Sequence, residues 1–139
     1  MKKHTPILFI ILLAFLGCKT KQNLTNQSIT IENKEWIAIR LGDSTIELNS
    51  EQLPTMNLSE GQVSGFTSCN RYHGTYALDG SILSFNPPAA TKMFCIDTNK
   101  TENEFLEALS KTKSWKYTDG ELYFLGENKK VLLVFALAG

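Results

Sequence analysis

Cys69, Asn70 and His73 stand close together in the stretch Thr67 to Tyr76, TSCNRYHGTY, and Cys95 follows further along the chain. Thiol and imidazole groups build metal centres and nucleophilic dyads. As a zinc site the set supplies Cys69, His73 and Cys95, one ligand short of a structural tetrahedron and without a CxxC pair. As nucleophile and base, Cys69 and His73 need a mutual hydrogen bond and a third group to orient the imidazole. A spacing of four joins two side chains on a helix. In a strand it leaves them about 13 Å apart at a rise of about 3.3 Å per residue, and the flanking Gly74 and alternating pattern favour strand and turn. The expectation is therefore no catalytic set, no metal and no cofactor. Asn70 and Gly74 both tolerate positive φ and read as turn residues, while Tyr72 and Tyr76 alternate as strand residues do. Arg40 and Arg71, the two arginines, suit a solvated strand face better than an anion site.

Which chemistry the cysteines follow depends on the compartment. The chain opens MKKHTPILFIILLAFLGC, with Lys2 and Lys3 ahead of an apolar run from Ile7 to Leu16 and then Gly17-Cys18. This is an export signal by polarity and length, and the run falls short of the roughly 20 residues of a membrane-spanning helix. A Leu-rich run closed by a small residue and cysteine looks like a bacterial lipoprotein signal, although Phe15 and Leu16 depart from its usual residues. On that reading residues 1–17 are removed, Cys18 carries acyl chains such as palmitate, and the protein is tethered to a membrane by lipid. An ordinary secreted protein is the alternative. Residues 18–28 are polar and aperiodic and read as a flexible tether. Lys19, where Asp retains enteric lipoproteins in the inner membrane, points to the outer membrane, and the lack of an early acidic run points to its periplasmic side.

Without Lys2 and Lys3, 12 basic residues face 14 acidic ones, so charge recruits no nucleic acid. Export also exposes Cys69 and Cys95 to an oxidising compartment, where an even count favours a disulfide. Its loop would contribute about 3.5 kcal/mol in the chain-entropy estimate. Two buried thiols or a redox-active pair remain the alternatives.

The elements that must position these residues are mostly strands. Ile29 and Ile31, Trp36 to Leu41, and Ile46 with Leu48 alternate with period two. Pro54 to Leu58 and Gln62 to Cys69 continue the pattern around a Ser59-Glu60-Gly61 turn, with Gly65 marking a bulge or a close backbone approach. Tyr76 to Phe85 and Lys116 to Leu125 each carry Asp-Gly between apolar runs, which predicts hairpins with type I′ turns and suggests a pseudo-repeat. Thr101 and Glu104 form a capping box, followed by an apolar helix face of Phe105, Leu106, Ala108 and Leu109, with Glu102, Glu107 and Lys111 on the solvent side. Val131 to Leu137 predicts a strand covered on both faces. The order predicts an α+β fold, a curved, mainly antiparallel, half-barrel-like sheet with one packed amphipathic helix.

Gly65, Cys69, Asn70, Gly74 and Tyr76, followed by Thr91, Met93 and Cys95, together resemble the two-segment signature of the META domain family, also called HslJ-like. The resemblance spans residues 29–139 and departs at Ser68, where many members have glycine. It implies a small curved sheet with a packed helix, frequent export or lipidation, and a loose association with heat or envelope stress and antibiotic tolerance. It carries over the Cys69 and Cys95 pair and no catalytic residue. The expected function is a non-enzymatic envelope module acting on a protein partner. A carrier of lipid or another apolar ligand, held in the concave face of the sheet, is the alternative, and a core filled by Phe66, Phe85, Phe94 and Phe105 would oppose it. A thiol enzyme based on Cys69 is the third reading.

Overall fold

The computed structural model describes residues 29–139; the expected signal sequence, Cys18 and the expected tether lie outside them. Ten strands and one α-helix follow in the order β1 (Glu35–Leu41), β2 (Ser44–Thr45), β3 (Thr55–Ser59), β4 (Gln62–Phe66), β5 (Arg71–Asp79), β6 (Ile82–Phe85), β7 (Ala89–Ala90), α1 (Asn99–Lys111), β8 (Ser114–Thr118), β9 (Glu121–Leu125) and β10 (Val131–Leu137). Every pairing is antiparallel. The predicted α+β architecture holds, and the curvature goes further than half a barrel. β10 bonds both β9 and β1, so the order β1-β3-β4-β5-β6-β8-β9-β10 returns on itself as a ring-like sheet. Its shortest seam is between β6 and β8, where Ile82 pairs with Ser114. Helix α1 packs on β6, β10 and β1.

The inner face of the ring follows the period-two pattern. Trp36, Met56, Leu58, Val63, Leu83, Leu122, Phe124, Leu133 and Phe135 are all fully buried, and α1 adds Phe105 and Leu109. A run of rings links sheet to helix: Phe85 lies 5.5 Å from Phe124, Phe124 is 4.9 Å from Phe135, Phe135 is 6.3 Å from Phe105, and Phe105 is 5.5 Å from Tyr72. At about 1.5–3 kcal/mol for each fully buried side chain, this stack is a large share of the folding free energy. Burial also pushes the Tyr72 hydroxyl well above its ordinary range. It stays neutral and donates to Thr55 O at 3.0 Å. Tyr76 is pushed up to about 12 by burial and by its hydrogen bond to Glu32.

Several local expectations are corrected. Phe94 is exposed rather than part of the core, and Phe66 is half-buried; the interior is filled by Phe85 and Phe105 with Phe124 and Phe135. Ile29 and Ile31 pack against the core outside any strand, because Asn33 turns the chain at φ 56 and Ile31 O accepts the Trp36 Nε1 proton at 2.9 Å. No strand forms at Ile46 and Leu48, which follow the two-residue β2 at Ser44–Thr45. β4 ends at Phe66, short of Cys69. The two Asp-Gly hairpins also differ in register. Thr118 pairs with Glu121, leaving Asp119 and Gly120 at φ 54 and 83 as a type I′ turn. Asp79 pairs instead with Ile82, so Gly80 at φ 57 leads the turn and Leu78 faces Leu83. That one-residue difference argues against a repeat.

Gly65 is required by close approach within regular pairing. A Cβ there would stand 2.1 Å from Thr55 O and 3.0 Å from the Tyr72 ring. Gly65→Ala is therefore expected to lower stability by about 3 kcal/mol, read as a reduced urea midpoint at unchanged slope.

Candidate functional site

The segment Thr67 to Asn70 links β4 to β5 and is buried throughout. Thr67 N donates to Asn70 O at 2.8 Å, and Asn70 N returns a bond to Thr67 Oγ1 at 2.9 Å. This closes a four-residue turn of the kind that Thr and Asn side chains stabilise locally. Ser68 takes its positive-φ position at 87°. Asn70, expected there for its tolerance of positive φ, serves as a hydrogen-bond hub instead.

The Asn70 side chain uses its whole capacity. Oδ1 accepts from Thr91 Oγ1 and from Met93 N, both at 2.8 Å. Nδ2 donates to Met93 O at 3.0 Å and to the Glu102 carboxylate, whose oxygens lie at 3.0 and 2.9 Å. Thr67 Oγ1 is 2.7 Å from Glu102 Oε2. A disulfide joins Cys69 to Cys95 across the same gap. One buried amide thus ties three segments of the chain: the β4–β5 turn, the strip from Thr91 to Cys95, and the first turn of α1.

Glu102, placed on the solvent face by helix periodicity, is drawn inward as an acceptor of this clasp. The helix macrodipole also favours an acidic residue in the first turn. The predicted capping box is displaced as well. α1 begins at Asn99 with Thr98 at the N-cap, because the N–H groups of Thr98 and Asn99 fold back onto Cys95 O at 3.3 and 3.0 Å. Thr101 lies inside the first turn, and Glu104 pairs with Lys100 at 3.7 Å.

Gly74 turns nothing. It sits within β5, where a Cβ would come within 3.2 Å of Pro88 and 3.4 Å of Val63. Tyr76 is a buried strand residue of β5. His73 is exposed and pairs with Ser64, outside the clasp. Arg40 bonds Glu121 at 2.9 Å and the Tyr123 hydroxyl at 3.2 Å on the outer face. Among the described residues, no group of three His, Cys, Asp or Glu side chains gathers as metal ligands do. The sequence paired Cys69 with Cys95 and named Asn70, Thr91 and Met93 only as motif residues; their meeting in one cluster, with Thr67 and Glu102, was not read from it. For Thr67 a signal existed, since a Thr three residues before Asn commonly closes such a turn.

A ring-like antiparallel sheet crossed by one helix, with its cysteine and asparagine used as a clasp, defines a small structural domain. The chain belongs to the META domain family: the family model matches residues 27–139, and the family is not known as one of enzymes. Solved structures share the fold. An NMR structure of a protein from Burkholderia xenovorans is 23% identical, with a TM-score of 0.61 over 99% of each chain. A crystal structure of a DUF4847 family protein from Bacteroides vulgatus is 17% identical, with a TM-score of 0.58 over 76% of this chain and 93% of that one. No curated protein matches the sequence.

Two substitutions probe the clasp. Asn70→Asp replaces the Nδ2 donor with an acceptor facing Met93 O and the Glu102 carboxylate, an expected loss of about 3–5 kcal/mol in urea denaturation with the disulfide intact. Ser68→Gly relieves positive φ and removes a buried hydroxyl that lacks a partner. It is expected to gain about 1 kcal/mol, or about 4 °C in Tm by calorimetry.

Proposed function

We propose that this protein is a non-enzymatic lipoprotein of the cell envelope, anchored through acylated Cys18 in the outer membrane and facing the periplasm, whose META domain is an interaction module in stress tolerance. The observation that carries the reading is the clasp. The one constellation in the sequence with reactive groups is committed to holding the fold: Cys69 is bonded to Cys95, and His73 stands apart from both. Family membership and the signal-like N-terminus support the same conclusion. The clasp also weighs against the thiol enzyme, which needs Cys69 as a thiolate.

The carrier reading has a different location from the one expected. The inside of the ring is filled with aromatic side chains. A surface cleft of about 630 Å³ lies instead between α1 and the β1–β2 turn, with Leu41, Leu48 and Leu132 among its lining residues. That volume suits a small ligand. Charged residues Lys100, Glu104, Glu107 and Lys111 also line it, which makes it a poorer home for a wholly apolar molecule.

Mass spectrometry of membrane-purified protein should find the N-terminal peptide beginning at acylated Cys18, and thiol titration should find two thiols after reduction and none before. Mild crosslinking of the lipidated protein under envelope stress should return one reproducible envelope partner. Cys18→Ser should abolish membrane retention and reproduce the stress phenotype of a deletion. A Cys18 without lipid, or wild-type stress tolerance in the unanchored variant, overturns the reading.

A further inference from the structure

The strip that Asn70 fastens presents three large apolar side chains to solvent. Met93, Phe94 and Ile96 are 64%, 75% and 84% exposed. Their backbone is not loose. Thr91 N bonds Arg71 O at 3.1 Å, Met93 bonds Asn70 through both its N–H and its carbonyl, and Cys95 is held by its disulfide and by two N–H groups donating to its carbonyl. Residues 91, 93 and 95 are thus tied to the domain through their backbone, while Lys92 and Phe94 stand outward between them and Ile96 directly after. An apolar cluster on a fastened backbone is ordered before it binds anything, so contact costs little conformational entropy.

We propose that this strip inserts into the interface of a lipid bilayer and gives the domain a second attachment to the membrane. Three observations favour a bilayer over a protein surface. First, the three side chains offer about 400 Å², roughly half of what each partner contributes to a stable protein interface, whereas insertion into a bilayer interface has no such threshold. Second, exposed Lys92 precedes the cluster and can meet a lipid phosphate, while the far side carries exposed Asp97 and the Lys100–Glu104 ion pair.

Third, the chain outside the described residues allows the reach; this step alone rests on the lipid-anchor reading. Residues 29–33 join the domain near the β3–β4 turn, where Asn33 N bonds Leu58 O, and the strip lies beside Thr67–Asn70 at the other end of β4. From Cys18 to Ile29 the chain spans at most about 36–40 Å, and a domain of this size is about 30–35 Å across. The tether can therefore run past the domain and leave the strip on the same leaflet, with little length to spare.

The test uses Phe94→Trp in the full chain, on vesicles of phosphatidylethanolamine and phosphatidylglycerol with or without brominated acyl chains. Emission from the new indole should shift to the blue and be quenched by bromine, above the background of Trp36 and Trp115 in the wild type. Adding Met93→Ser and Ile96→Ser should abolish the quenching while the acylated chain stays bound. Without acylation, as in Cys18→Ser, the same pair should lower vesicle partition by about tenfold or more. Removing five tether residues should also weaken the quenching of the acylated form.

An acylated, vesicle-bound chain whose indole emits as in water overturns the inference and leaves the anchor standing. Quenching in a chain found to lack acyl groups supports the inference and removes the anchor. A dimer, or a protein crosslink through residue 94, without quenching assigns the strip to a protein surface and overturns the inference.

Discussion

Asn70 is a neutral side chain in a buried place, and its burial is tolerable only because every hydrogen-bonding site it has is met. Two donors and two acceptor positions find Glu102, Met93 and Thr91. An unpaired amide at this depth would cost several kcal/mol, comparable to much of a domain's net stability. The geometry is therefore all-or-none. The β4–β5 turn, the strip after β7 and the start of α1 must arrive together, since any one of them alone leaves the others with unmet polar groups. The disulfide acts on the same gap but in a different way, by restricting the unfolded chain. The amide decides which arrangement is native, and the disulfide makes the competing arrangements fewer.

This coupling matters because of how the ring closes. A sheet that returns on itself has no long free edge, and β10 achieves this by bonding β9 on one side and β1 on the other. The seam at β6 and β8 is short, with Ile82 opposite Ser114 flanked by bonds from Leu83 N to Lys113 O and from Trp115 N to Ser81 O. Helix α1 packs on β6 beside that seam and supplies Phe105 and Leu109 to the interior, adding apolar burial where the ladder is short. Its position follows from the clasp, which fixes its first turn through Glu102, and from the ring stack, which fixes its middle through Phe105. Polar specificity at one end and aromatic packing at the centre thus place the same helix.

Local rules read much of this correctly from sequence. The strands at Trp36, at Val63 and through the two hairpins follow period-two burial, and the one at Val131 follows from a continuous apolar run, buried from Leu133 to Phe135; neither pattern needs knowledge of partners. The helix follows from the spacing of Phe105, Ala108 and Leu109. What escaped depends on contacts distant in sequence. Periodicity placed Glu102 on the solvent face because it registers sidedness along one helix and nothing about a turn 32 residues earlier. Ring closure was equally hidden, since it needs the first strand to meet the last. Phe94 failed for another reason: apolar residues favour the interior on average, but the rule runs one way, and an exposed cluster is the informative exception. The Asp-Gly signals located both hairpins, yet at Asp79 the opposition of Leu78 and Leu83 accompanies a turn moved by one residue.

These exceptions converge on one part of the molecule. Glu102 and Phe94, whose surroundings depart from these local rules, lie at opposite sides of the strip from Thr91 to Cys95, one holding it from within and the other facing out from it. A structure that commits a filled hydrogen-bond hub, a carboxylate and a disulfide to a segment with almost no regular secondary structure is fixing the position of that segment. Stability alone would be served by a shorter connection between β7 and α1, with its apolar side chains turned inward. The arrangement instead keeps those side chains out of the core and rigid. The fold's most demanding polar interaction and its most exposed apolar surface are therefore two faces of one construction, the strip that Asn70 holds.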